Sequence, residues 1–497
     1  MSNMLAAAMS SCHGNRSIPL RRLSVLLLAW GLLCSASTVS AQKTAMFDSI
    51  RERGDQTWQT ALQIWEWAEP GYQEQKSSQL LAQLLKDAGF DLQLKVAGIP
   101  TAFTASFGQG QPVIGILGEF DALPGLSQSA EPTRDPLKVG GYGHGCGHHL
   151  FGAASASASI AIAQQIRAGK LSGTVRFYGC PAEEGGSAKV FMVRAGLFRD
   201  CAAVLHWHPS SRNAAGDRSS LARMAVKFRF LGKAAHAAGA PEQGRSALDA
   251  VALTNHAAEL LREHTPDFTR IHHVITSGGG APNVVPDFAE VYYYIRHPKG
   301  EIVRPLYRRL QLCAQAGALA SETKLVTRFE GGILEILPNN TLAQVNLKNL
   351  RQLNDIEYTP EELQFALKMQ QQIPRPAALT SIRNVDDLSG TVGKGSTDVG
   401  DVSWVVPTSG FNTACWVPGT PGHSWQAVAC GGTTLARKGM HLAARVLAAS
   451  AWDLFSQPEV LEQAQAEHQR RISGNSYKSL MQPGQQPSLD YRNPPRR

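Results

Sequence analysis

Three short apolar runs, at 112–117, 173–178 and 202–205, are each followed by a polar loop of unusual chemistry, and an Ala/Ser/Ile-rich helical stretch at 150–166 separates the first two. Buried strands alternating with helices call for an α/β fold, a mostly parallel sheet with covering helices. Ligands of such sheets bind beyond the carboxyl ends of the strands, where these loops fall. Helical periodicity also marks 57–67 and 77–88, separated by Glu69-Pro70-Gly71.

The texture changes after Pro209. A strand at 224–231, a helix at 247–263, strands at 271–276 and 289–296, a helix at 304–320 and a strand at 324–329 give the order β-α-β-β-α-β, a two-layer ferredoxin-like unit. The expectation is a catalytic domain over 42–214 and 336–472, interrupted by an inserted domain at 215–335. Helical patterns at 338–350 and 435–449 belong to its second part. From 473 to 497 Gly, Pro, Gln and Arg dominate, and that tail is expected to be extended and poorly packed.

The 48 Lys+Arg against 40 Asp+Glu give a net charge of +8, which invites a polyanion-binding reading. Its location argues otherwise. Arg16, Arg21 and Arg22 lie in a leader without acids, and Arg470, Arg471, Arg492, Arg496 and Arg497 lie near the end. No basic, aromatic-interleaved stripe tracks a phosphate backbone, so no nucleic acid is expected. Arg21-Arg22, an apolar run to Cys34 too short to span a bilayer, and Val39-Ser40-Ala41 predict a signal peptide over 1–41. Cleavage near Ala41 implies an exported, periplasmic or secreted protein with no stable membrane association. Cys146, Cys180, Cys201, Cys313, Cys415 and Cys430 remain, with no disulfide-framework spacing.

His144, His148, His149, His206, His208, His236 and His423 sit in Gly- or Pro-flanked segments at expected strand ends. Any one of them alone is more often a hydrogen-bonded structural residue. The cluster Gly143-His144-Gly145-Cys146-Gly147-His148-His149 is different: Cys146 and His148, two apart in an extended chain, would point the same way and offer a thiolate and an imidazole, a pair suited to zinc and acceptable to manganese. Further donors lie in Pro181-Ala182-Glu183-Glu184, in Leu205-His206-Trp207-His208 and in Pro421-Gly422-His423. Adjacent carboxylates diverge, so one can hold metal while the other acts on water, as amide hydrolysis requires. No Gly-x-Ser-x-Gly elbow occurs, and Gly393-Lys394-Gly395-Ser396-Thr397 fails the P-loop spacing because position 388 is Leu.

Taken together with Gly118-Glu119-Phe120-Asp121-Ala122-Leu123-Pro124, Lys233-Ala234-Ala235-His236, Pro282-Asn283-Val284-Val285-Pro286, Ser396-Thr397-Asp398-Val399-Gly400-Asp401 and His423-Ser424-Trp425-Gln426, these segments give the chain a resemblance. Over roughly 45–475 it resembles the di-metal aminoacylase and carboxypeptidase-like metallopeptidases, in the amidohydrolase subgroup that cleaves aminobenzoyl-glutamate and indole-acetyl-amino acids.

The resemblance implies two divalent metal ions, Zn or Mn, held by Cys146, His148, Glu184, His208 and His423, with Cys146 a bridge and His208 fitting the ligand position better than His206. It implies Glu183 as general base toward a metal-activated water, and Asp121 as support for a ligand, Glu119 standing where relatives carry a ligating imidazole. The inserted unit resembles a lid and dimerisation domain. There His236 would stabilise the oxyanion, often in the partner's site of a homodimer, and Asn283 and Arg296 would hold the substrate, although Arg296 could equally end a surface strand. The implied substrate is a small N-acyl- or N-aroyl-amino acid or a dipeptide. The alternative is an exported binding or assembly protein that keeps the fold without turnover.

Overall fold

In a computed structural model, residues 43–492 are described, and the leader expected over 1–41 lies outside them. The run Val-Ile-Gly-Ile-Leu-Gly-Glu forms a strand, Val113–Glu119, buried at every position, as a central parallel strand covered on both faces must be. In chain order the strands are β1 (Asp91–Leu94), β2 (Phe103–Gln109), β3 (Val113–Glu119), β4 (Gly173–Cys180), β5 (Ala203–Ser210), β6 (Asn213–Ala215), β7 (Ala222–Leu231), β8 (Arg270–Ser277), β9 (Phe288–His297), β10 (Lys324–Ile333), β11 (Val385–Asp387) and β12 (Thr408–Ala414). All belong to one unit, Met46–Arg497.

Eight strands form one sheet in the order β1-β2-β4-β3-β5-β12-β6-β11. The central neighbours β4, β3, β5 and β12 pair in parallel, and antiparallel pairs occur toward the margins. The Ala/Ser-rich helix His148–Arg167 is buried along nearly its whole length, packed against β3 and the helix Thr434–Ser456. Strand β12, Thr-Ser-Gly-Phe-Asn-Thr-Ala, carries no strand signature in the sequence because its buried polar residues are satisfied from remote elements: Asn346 Nδ2 donates to Ser409 Oγ and Thr413 Oγ1 to the Gly439 carbonyl.

The second sheet is antiparallel, β10-β7-β9-β8. Helices Ala247–Arg262 and Gly300–Ala320 pack on it around a core of its own that includes Val226, Phe228, Val291, Tyr293 and Leu310. Its strands and helices follow the expected β-α-β-β-α-β order.

The tail differs from the expectation of poor packing. Among the described residues it forms no regular element after Ile472, yet Leu480, Met481 and Tyr491 are buried. Scattered apolar residues among Gly, Pro and Gln show no period, so their docking sites on other elements were invisible in the sequence.

Candidate active site

The carboxyl ends of β3, β4 and β5 open into a cavity of about 720 Å³ whose wall includes Glu119, Cys146, Glu183, Glu184, His206, His208 and His423. That volume suits a small molecule. Cys146 and His148 converge by a route other than the extended one expected. Gly147 takes a left-handed φ of +78° and His148 is the first residue of the helix, so a turn aims both donors at one point. A side chain at 147 would also strike Pro209.

Three donor groups result, each with its ligand atoms within 4.8 Å of one another: Cys146, His148 and His208; Cys146, Glu184 and His423; and Glu119, His148 and Glu183. Cys146 belongs to two of them. Cys146 Sγ lies 3.3 Å from His208 Nε2, and His423 Nε2 lies 3.3 Å from Glu184 Oε1. Donor atoms that share a tetrahedral ion at its usual bond lengths stand about 3.3 Å apart, and these separations are compatible with such an edge.

Each donor is held from behind. Asp121 Oδ1 lies 2.8 Å from His148 Nδ1, and its Oδ2 accepts from the Glu184 N–H at 2.9 Å. His208 Nδ1 sits 2.7 Å from the Pro209 carbonyl, which leaves Nε2 for the cluster. The His423 N–H donates to the Gly145 carbonyl, tying the distant Pro-Gly-His segment to the Cys146 loop. Ala182 and Ser187, on either side of the Glu183-Glu184 pair, and His423 have positive φ without being glycine, backbone strain of a kind that collects at functional sites.

The histidines divide by partner. His144 Nε2 and His149 Nε2 each meet a backbone carbonyl, of Ile64 and Gly431, and both imidazoles are structural, with burial holding their pKa values down. His206 lines the cavity, but burial lowers it to about 4 and it joins no donor group. His208 is raised instead: burial acts downward, but the Cys146 charge and hydrogen bond, with Glu119, together prevail. For Cys146, burial and Glu184 act upward, yet the His208 and His148 charges prevail and the thiol falls to about 6.

Burial, Glu119 and Glu184 raise the Glu183 pKa well above the carboxylate range, whereas Glu184, despite burial, is lowered by His423. Two neighbouring carboxyls pushed apart in this way suit separate acid–base and ligand roles.

The sequence gives no hint of a network behind the site. Buried Lys189 bridges Glu119 Oε1 at 2.7 Å and Asp398 Oδ1 at 2.6 Å. Breaking such a buried pair costs about 3–5 kcal/mol. Asp398 stands in the Ser-Thr-Asp-Val-Gly-Asp segment, whose pattern alone suggests no role for it, and Lys189 carries no signal at all.

The donor set fits divalent cations. Carboxylates, a thiol and imidazoles converge there, and buried His148 Nε2 and Glu184 Oε1 meet only fellow donors, Glu119 at 3.1 Å and His423 at 3.3 Å.

Arg296 lines the cavity. His236 and Asn283 do not; both are exposed on adjoining loops of the second sheet, where the Ala237 N–H donates to the Asn283 carbonyl.

Residues 218–320 match the family model described as a peptidase dimerisation domain. The chain is 41% identical over 460 residues to the B-type subunit of the p-aminobenzoyl-glutamate hydrolase of Escherichia coli K12, covering 86% of this chain and 95% of that one. It is 28% identical over 452 residues to the human Xaa-Arg dipeptidase, covering 86% and 92%. Among solved structures, an aminobenzoyl-glutamate utilization protein from Klebsiella pneumoniae aligns with a TM-score of 0.54 at 19% identity, over 79% of this chain and 97% of that one. The chain therefore belongs to the M20 aminoacylase and carboxypeptidase-like metallopeptidases, in their amidohydrolase subgroup, and is a metal-dependent hydrolase of that family.

Proposed function

We propose that the protein hydrolyses the amide bond of a small N-aroyl- or N-acyl-amino acid of the aminobenzoyl-glutamate type, with Cys146, His148, Glu184, His208 and His423 holding two divalent ions, Zn or Mn. The observation that carries this reading is the membership of Cys146 Sγ in two donor groups at once, with Glu183 in a third beside them. When bound, such ions act as Lewis acids toward a carbonyl and lower the pKa of water.

The chain's own residues supply the rest. Glu183 takes the proton of the attacking water and returns it to the leaving amine nitrogen. Asp121 fixes the His148 tautomer, and the Lys189 bridge holds Glu119 beside the cluster. His236 and Asn283, exposed on one lid edge, support catalysis in a second copy of the chain, where His236 would donate to the oxyanion. Strand β8 is an open edge with Val274 and Ile275 exposed, which suits dimerisation through the inserted unit. The leader pattern supports export before the enzyme acts.

The test is hydrolysis of aminobenzoyl-glutamate, N-acyl-amino acids and dipeptides by protein supplied with Zn or Mn, compared with Glu183→Gln. Turnover that a chelator removes, that either metal restores, and that falls about a thousandfold or more in the metal-loaded variant is expected for a lost general base. Near-normal activity of Glu183→Gln would overturn the general-base assignment.

A further inference from the structure

On the lid side of the cavity two guanidinium groups face each other. Arg223 on β7 and Arg296 on β9 are cross-strand partners in the antiparallel register. Like charges directly opposite destabilise a sheet. Both lie over one ring: the Arg223 Cζ is 4.6 Å and the Arg296 Cζ 5.4 Å from the centroid of Tyr294.

A third guanidinium comes from the tail. Arg492 lines the same cavity and donates to the Glu184 carbonyl. Its position is built, not incidental. Tyr491 packs edge-on against Tyr72 with ring centroids 5.7 Å apart. Gly185, at φ +132°, leaves the room that Tyr491 fills. Upstream, Arg328 pairs with Asp490 at 2.8 Å, Arg194 donates to the Gln485 carbonyl at 2.9 Å, and Tyr477 donates to Asp401 at 2.7 Å. The segment thus runs as a strap from the lid sheet to the Glu183-Glu184 turn.

All three arginines leave Nε buried with no hydrogen-bond partner, and Arg223 is only 5% exposed. None of the three forms an ion pair with a carboxylate among the described residues. The nearby Glu183 and Glu184 belong to the metal-donor groups. Burial and the Arg223 charge lower the Arg296 pKa, against the upward pull of Glu183 and Glu184.

We propose that Arg223, Arg296 and Arg492 form an anion-binding wall that selects substrates whose released amino acid carries a second carboxylate, with the C-terminal strap supplying Arg492 as the specificity-determining residue. This rests on the hydrolytic reading above. Forked guanidiniums match carboxylates in two-point geometry, and three of them exceed what a single α-carboxylate needs.

The experiment is calorimetric titration of the metal-loaded enzyme with glutarate and with valerate, the five-carbon diacid and monoacid, alongside kcat/KM for N-benzoyl-glutamate and N-benzoyl-glutamine. The wild type should bind glutarate at least about tenfold more tightly than valerate. Arg492→Gln should weaken glutarate about 10- to 100-fold, the loss expected for a charged hydrogen-bonded contact, and change valerate less than about twofold. Arg492→Lys should recover part of the loss, and Arg296→Gln gives an independent reading if Arg492→Gln folds poorly. Equal affinity for the two acids, or glutarate affinity within about twofold of wild type in both glutamine variants, would overturn the wall. Efficient hydrolysis without diacid preference would sink the wall and leave the hydrolase reading intact. Diacid selectivity without hydrolysis of any amide would do the reverse.

Discussion

Cys146 is the point where the two halves of the donor cluster meet, shared between the His148–His208 group and the Glu184–His423 group. A thiol lowered to about 6 by neighbouring imidazoles is ready to ligate near neutrality. Cys146→Ala should therefore lose at least one of two metal ions per chain by elemental analysis, and unchanged stoichiometry would remove the thiolate from the ligand set. This residue was legible because Cys and His were crowded among glycines, a composition with few structural uses. The turn at Gly147 that aims them was not, since an extended chain and a left-handed turn predict the same convergence. Lys189 was illegible for a different reason: a buried lysine announces itself only when its two carboxylates, far away in sequence, are in place.

Among the elements, strands with continuous apolar runs could be read directly, and those whose polar residues find partners elsewhere, such as β12, could not. The strap belongs to the second kind. Its hold on the rest of the molecule passes through Asp401, which accepts from the Leu334 N–H at 2.9 Å and from the Tyr477 hydroxyl at 2.7 Å, and burial raises its pKa to about 7. An unfolded Asp titrates near ~3.9. Between those values the native chain holds one more proton than the unfolded chain, so this group's contribution to stability falls as pH rises through the window, by up to ~1.4 kcal/mol per pH unit, and is flat above it. Asp401→Asn cannot titrate. The stability gap between wild type and Asp401→Asn, measured as urea midpoints from pH 4.5 to 8.5, should shrink toward pH 7 and then hold constant; parallel curves across the range would contradict it.

At the scale of the whole molecule, one chain assembles the candidate metal donors and the three cavity arginines but leaves His236 and Asn283 outside the cavity. The order of the inserted unit was readable because its helices and strands are amphipathic in themselves, whereas which cavity its loops serve is written in no local pattern. Mixing His236→Ala with Glu183→Gln, each inactive alone, should restore part of the activity in verified mixed dimers, since one site then holds an intact Glu183 and an intact His236. No recovery would place His236 outside trans catalysis.

The strap also sets an order of assembly. During synthesis every candidate metal donor, the last being His423, leaves the ribosome before Arg492 does. A nascent chain can thus bring its candidate metal donors together before Arg492 is available to the proposed wall.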